Sequence, residues 1–277
     1  MRNHFLRAGR VANLPSGSGS SIVTTDLESH YDLGNTSCWT GNSSSNSADY
    51  TLNDLSGNGN DAKIFSRISG SNSYSSVNVS KDTSDGNSLE ISYTAANYAD
   101  NSAFIGTDTG PATLGTGAGT VEMWIKYKFT NVSTERRSTL MYWSNGPGHS
   151  TWRWHNTNSY TFGTNYPKHF TIAGEGGNGV IPYPGSPPDS GWGDWVHLVW
   201  SRTSTSSNDT KIYVNNSLEH TYTSTDDITG RPTYWPFASS SYEYTAKFGV
   251  FRYYVGTGLT SSQVTTNWNA QKSRFGH

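Results

Sequence analysis

Three groups of residues in this chain have the types and spacing to do chemistry. The first is the run Asp54-Leu-Ser-Gly-Asn-Gly-Asn-Asp61. It offers carboxylate, amide and main-chain carbonyl oxygens on a tight Gly-rich turn, the hard donors of which Ca²⁺ takes six to eight. Asp54 would supply the side-chain oxygens, and Gly57 and Gly59 the carbonyls. The run lacks the acidic spacing and final Glu of an EF-hand loop. An Asx/Gly turn between two strands is the competing reading. The second group is aromatic. Trp152 and Trp154 alternate with Arg153 and His155, so one strand face carries both indoles, while Trp192, Tyr234, Trp235 and Tyr242 lie in loop-like stretches. Flat rings beside convergent polar groups are the materials of a sugar-binding surface. Core or interface packing is the alternative for each ring, because the chain has few other large apolar side chains. The third is His197, inside the apolar run Trp195-Val-His-Leu-Val-Trp200. It reads as a hydrogen-bonded core histidine, with ligand or proton shuttle as the alternative.

Composition narrows what such groups can serve. Only 14% of the 277 residues are charged, against a usual ~25%, and the net charge is −2. No basic field exists to hold nucleic acid along its backbone. Hydrophobic content is 32%, low for a globule, but 10 Trp and 17 Tyr compensate, since each aromatic ring buries ~150–250 Å². The lone cysteine, Cys38, excludes an intrachain disulfide and reads as a half-buried small residue. No apolar run reaches the 18 residues of a membrane span, so membrane insertion is not expected. Met1–Arg10 has charges but no apolar stretch behind them. A secretory leader is therefore not expected, and synthesis in the cytoplasm is.

These residues need elements to hold them. Residues 1–25 form an extended arm and linker. Phe5, Leu6, Arg7 and Arg10 are its candidate docking residues, and Pro15–Ser21 is its flexible part. A frayed terminus is the alternative. Residues 26–277 read as short strands between polar turns. In Thr120–Phe129 the residues Val121, Met123, Ile125, Tyr127 and Phe129 point one way. In Asp194–Ser201 the residues Val196, Leu198 and Trp200 oppose Trp195, His197 and Val199. Lys211-Ile-Tyr-Val214 runs into Asn215-Asn216, a pair that tolerates positive φ in a hairpin. The one good helix signal follows Thr260, with Gln263 three residues on as a capping box asks. One short helix after many strands is an all-β domain.

Four stretches in series resemble the concanavalin A-like, laminin-G-like family. They are Asp54-Leu-Ser-Gly-Asn-Gly-Asn60 after Tyr31-Asp-Leu-Gly-Asn35; Val121-Glu-Met-Trp-Ile125; Gly193-Asp-Trp-Val-His-Leu-Val-Trp200 with Lys211-Ile-Tyr-Val-Asn215; and Phe248-Gly-Val-Phe-Arg-Tyr-Tyr254 with Gly258–Val264 and Asn267-Trp-Asn-Ala270. The resemblance covers residues 26–277 in order. Asn216 departs from the usual turn glycine, and Gln263 stands where an acidic residue is common. The resemblance implies a jelly-roll β-sandwich of two antiparallel sheets with one short C-terminal helix. In relatives, a structural Ca²⁺ near the first loop is frequent. Glycosidases of the fold carry two carboxylates close together on one strand. Here Glu122 has no carboxylate partner on its strand, and no Gln-x-His of the fold's lyases occurs. The chain is therefore expected not to be an enzyme.

The Ser/Thr/Asn-rich style and the arm resemble versions of this domain in bacteriophage virion proteins. That implies a capsid decoration, head-fibre or tail-associated subunit located in the virion. Its expected partners are other virion proteins and copies of itself, as a trimer. The alternative is an adhesin for host surface polysaccharide, and a hydrolase or lyase on the same fold ranks below both.

Overall fold

The computed structural model describes residues 21–41, 50–68, 71–73, 79–93, 103–106, 115–129, 137–143, 151–155, 169–171, 180–185, 188, 190–206, 208–223, 232–235 and 244–277. The described strands are β1 (Leu27–Asp32), β2 (Thr51–Leu52), β3 (Ala62–Ile68), β4 (Ser71–Ser73), β5 (Val79–Asp82), β6 (Ser88–Tyr93), β7 (Ala103–Gly106), β8 (Gly119–Phe129) and β9 (Arg137–Trp143). They continue with β10 (Thr151–His155), β11 (His169–Thr171), β12 (Val180–Pro182), β13 (Gly191–Trp192), β14 (Val196–Arg202), β15 (Thr210–Val214), β16 (Ser217–Tyr222), β17 (Pro232–Trp235) and β18 (Tyr244–Val255). Helix α1 (Ser261–Gln271) and a 3₁₀ turn (Lys272–Phe275) close the chain. No described helix is long and apolar enough to cross a membrane.

The strands build two antiparallel sheets. The first runs β16-β15-β14-β8-β18-β6-β5, with β1 also on β18 and β13 also on β8. The second runs β12-β11-β10-β9-β17-β7-β3-β2, with β4 on β3. This is the expected all-β sandwich with its C-terminal helix. Val121, Met123, Ile125, Tyr127 and Phe129 of β8 all face the inter-sheet core, as their period-two spacing predicts. From the second sheet the core receives Ile64, Ile105, Phe170 and Ile181. Tyr127 and Phe170 meet across the gap with ring centroids 6.4 Å apart. Full burial of each such side chain is worth about 1.5–3 kcal/mol, so alternation alone goes far toward specifying the sandwich.

The first sheet is buried on both sides. Thr120, Glu122 and Trp124, the other face of β8, are as enclosed as the core row. Helix α1 and the chain end lie there, with Val264 packing on Leu27, Val199, Tyr213 and Tyr254. The helix starts where the capping box predicts. Thr260 Oγ1 accepts from the Gln263 N–H (3.3 Å), and Gln263 Oε1 accepts from the Thr260 N–H (2.9 Å). Asn215 and Asn216 take φ of 48° and 67° in the β15–β16 hairpin, as their side-chain type allows.

One expectation meets different surroundings. Cys38 is fully buried rather than half-buried. A turn in which Cys38 and Trp39 N–H groups both donate to the Asn35 carbonyl folds it under the core. Burial pushes its thiol well above the usual range. Ordered packing also reaches into the arm segment. Ile22 and Val23 pack on the layer beneath α1, where the Val23 N–H donates to Asn267 Oδ1 (2.7 Å) and the Tyr254 hydroxyl to the Val23 carbonyl (3.1 Å). Phe5, Leu6, Arg7 and Arg10 lie outside the described residues.

Candidate functional site

The most concentrated ionisable chemistry lies under α1. Register places Arg252 of β18 opposite Glu122 of β8, and His30 of β1 opposite Arg252. Glu122 Oε1 accepts from His197 Nε2 (2.8 Å) and Arg252 Nη1 (2.7 Å), and Oε2 accepts from Asn267 Nδ2 of α1 (2.6 Å). An ionised carboxylate only accepts, so the His197 proton toward Glu122 sits on Nε2. Burial alone would raise the Glu122 carboxyl. The Arg252 charge and the His197 and Asn267 hydrogen bonds overcome that and hold it at about 2. Burial, helped by Arg252, lowers His30 to about 3, so it stays neutral. His197 stacks on Trp124 at 4.8 Å, and Trp124 on Trp268 at 5.1 Å and Phe275 at 4.3 Å. Glu122, His197, Arg252 and Asn267 are each 0% exposed. With no route to solvent, the cluster fastens the helix to the sheet. His197 is thus the hydrogen-bonded buried residue that its apolar strand suggests.

The 54–61 loop is stitched into the fold by its own side chains. Asp54 Oδ1 accepts from the His30 N–H (2.8 Å) and the Ser56 N–H (2.9 Å). Its Oδ2 accepts from Ser56 Oγ (2.6 Å) and the Asn60 N–H (3.1 Å). Asn58 and Asn60 donate to the Glu28 carbonyl, and the Tyr31 hydroxyl donates to the Asn60 carbonyl. Gly57 and Gly59 take φ of 90° and 77°, which the tight turn requires. Asp54 therefore already has four protein donors, and a cation would have to displace some of them. Among the described residues no group of three or more His, Cys, Asp or Glu side chains is placed to hold a metal.

Trp192 stands at the far end of the same outward face, opposite Lys128 of β8. It is half-buried, with Lys247 Nζ 4.3 Å and Lys128 Nζ 5.9 Å from its ring centroid. Lys247 also bridges Asp82 (2.6 Å) and Asp85 (2.8 Å), and Lys126 joins Asp85 (2.9 Å). The hydrogen bond from Lys247 drives Asp82 far below the usual carboxylate range. The Trp192 ring is thus already occupied by cations on a cross-linked surface.

On the second sheet, strand register sorts the aromatics. Trp235 stands opposite Ile105, and Ile105 opposite Ile64. Trp154 stands opposite Phe170, and Phe170 opposite Ile181. The partners Ile64, Ile105, Phe170 and Ile181 are all core residues. Trp235 and Trp154 thus pair in the backbone ladder with core residues. Trp152 pairs with Met141, and Tyr234 with Gly106 on one side and Tyr142 on the other. Arg252 and Asn267 of the buried cluster were not among the sequence-derived candidates, because only the pairing of β8 with β18 brings Arg252 to Glu122. Tyr242 lies outside the described residues.

No family model matches the chain, and no curated protein matches its sequence. Solved structures do match. The chain is similar to the binding domain of botulinum neurotoxin DC in complex with SialylT, at 11% identity and a TM-score of 0.55 over 90% of this chain and 52% of that one. It is similar to domain 4 of AbnA, a GH43 extracellular arabinanase from Geobacillus stearothermophilus, in complex with arabinotriose. That match has 15% identity and a TM-score of 0.50 over 88% of this chain and 98% of that one. A Trypanosoma rangeli sialidase mutant displaying trans-sialidase activity matches at 13% identity and a TM-score of 0.53, over 94% of this chain and 35% of that one. The chain spans about half the length of the neurotoxin chain and a third of the sialidase. At such identities the likeness is one of fold.

Proposed function

We propose that this chain is a non-catalytic carbohydrate-binding module that recognises cell-surface polysaccharide. The observation that carries the reading is the fold, a sandwich of two antiparallel sheets that is similar to domain 4 of AbnA, solved with arabinotriose, over nearly the whole length of that domain. Aromatic rings with a few placed polar groups are what a sugar site needs, and Trp152, Trp154, Trp192, Tyr234, Trp235 and Tyr242 are its candidates. Catalysis is not part of the proposal, because the carboxylate–histidine–arginine cluster is sealed.

The setting we propose is a phage particle. Residues 1–25, with Phe5, Leu6, Arg7 and Arg10, would dock on other virion proteins, and copies of the sandwich would project as a trimer. The composition and the arm support that setting.

A glycan array on the full chain tests the carbohydrate reading. Trp152→Ala or Trp235→Ala should remove binding. Binding unchanged in both variants would put the sugar on other rings, and no glycan bound at all would sink the reading.

A further inference from the structure

We infer that α1 and the 3₁₀ turn form a hinged cover, which opens as one unit from the outward face of the first sheet while the two sheets stay packed. The cover has its own apolar attachment. Val264 packs in a cluster with Leu27, Val199, Tyr213, Tyr254 and Leu259. Phe275 and Trp268 pack with Trp124, Trp195 and Val250. None of these residues belongs to the inter-sheet cluster that holds Val121, Met123, Ile125, Tyr127 and Phe129. Lifting the cover therefore leaves the inter-sheet core intact. The chain is fastened just before it. The Leu259 N–H donates to Thr120 Oγ1 (2.9 Å), and the Leu259 carbonyl accepts from Ser201 Oγ (2.8 Å). Thr260 follows in an extended conformation as the helix N-cap, so the hinge falls there.

The polar seam beneath the cover is under-satisfied. Glu122 takes donors from His197, Arg252 and Asn267. Six other buried atoms on this face and on α1 have no hydrogen-bond partner among the described residues. They are Arg252 Nε and Nη2, His197 Nδ1, His30 Nε2, Trp124 Nε1 and Gln271 Oε1. A buried polar group without a partner is costly, and lifting the cover gives these groups water. The seam is thus an easier place to open than the apolar core. Arg274 is the latch. Its side chain is 23% exposed at the rim and donates from Nη1 to Asp32 Oδ1 (2.6 Å). Its Nε donates to the Gly86 carbonyl (2.7 Å) and its Nη2 to the Asn87 carbonyl (3.1 Å). Thr265 adds a smaller tie, from its hydroxyl to Asn216 Oδ1 (2.8 Å). The closed state hides Trp124, Val199 and Val250, and the open state bares them as an apolar strip.

Native-state hydrogen exchange on the full chain, followed by NMR in rising sub-denaturing urea, tests the cover. The amides of residues 264–271 should share one opening with a common urea dependence, about tenfold or more as frequent as the opening that exposes β8 and β14. Ile125→Val, in the inter-sheet core, should speed exchange in β8 severalfold and leave α1 unchanged, because Ile125 stays packed whether the cover is closed or open. Arg274→Gln should speed exchange in α1 and β8 alike by about tenfold, because only the closed state contains the latch. Arg274→Lys keeps the charge and should do less, and it still gives a reading if Arg274→Gln misfolds. If α1 and β8 exchange at the same rate and Ile125→Val speeds both, the helix leaves only on global unfolding and the cover is overturned. Exchange in α1 that ignores urea and runs fastest at one end is fraying, and overturns opening as a unit. No response of α1 to either Arg274 variant overturns the latch.

Discussion

On the outward face of the first sheet, Glu122 gathers His197, Arg252 and Asn267 beneath a helix, and Lys126 and Lys247 pair with Asp82 and Asp85 farther along. The inter-sheet core on the other side of the same strands is held instead by apolar and aromatic packing, where Tyr127 and Phe170 meet across the gap. Charges that meet opposite charges lock the chain to itself through long-range pairing. The core is fixed by strand periodicity.

The sharpest way to break the contrast is to open the locked face. Glu122→Ala leaves Arg252 and His197 buried without their shared acceptor. It should cost about 3–5 kcal/mol in urea unfolding, the scale of an orphaned buried charge. A cost under 1 kcal/mol would mean that the cluster does not hold the helix.

Acid attacks the same face. His30 has a folded pKa of about 3, below its ordinary 6.5, so the unfolded chain takes up a proton first. Its contribution is complete above pH 6.5 and is lost as pH falls toward 3, at up to about 1.4 kcal/mol per pH unit. Glu122, held at about 2 against 4.5, adds a loss that begins below pH 4.5. Urea midpoints at pH 7, 5.5 and 4 should therefore fall in that order, and His30→Gln should flatten the first interval. A midpoint unchanged from pH 7 to 5 contradicts the buried neutral histidine.

Smaller effects sharpen the comparison. Thr260→Ala removes the cap of the helix that covers the first sheet and should cost about 1 kcal/mol, with glycan binding untouched. Chelation probes the loop that joins the sheets, since residues 54–60 of the β2–β3 connection bond to β1. Because protein donors already fill the Asp54 carboxylate, the thermal midpoint should not move with chelator. A drop would establish calcium as the ligand at Asp54.

Much of the fold was legible in residues alone. The alternation of Val121 to Phe129 and the opposed rows of Val196 to Trp200 named their faces, because a strand's side chains repeat every two residues. Thr260 with Gln263 marked the helix start, and Asn215-Asn216 the hairpin. The site was less legible. Trp154 pairs with Phe170 of β11, a partner that no local pattern names.

The sequence by itself determined the class of fold, its caps and turns, and the likeness of Glu122 and His197 to isolated polar residues in apolar strands. Those are local properties, set by periodicity and backbone preference within a few residues. Only the tertiary structure decided that Glu122 meets Arg252 across 130 positions. It also decided that Lys247 of β18 reaches Asp82 and Asp85, far away along the chain. Sheet membership joins distant segments, and electrostatics follows distance in space, so neither could be read along the chain.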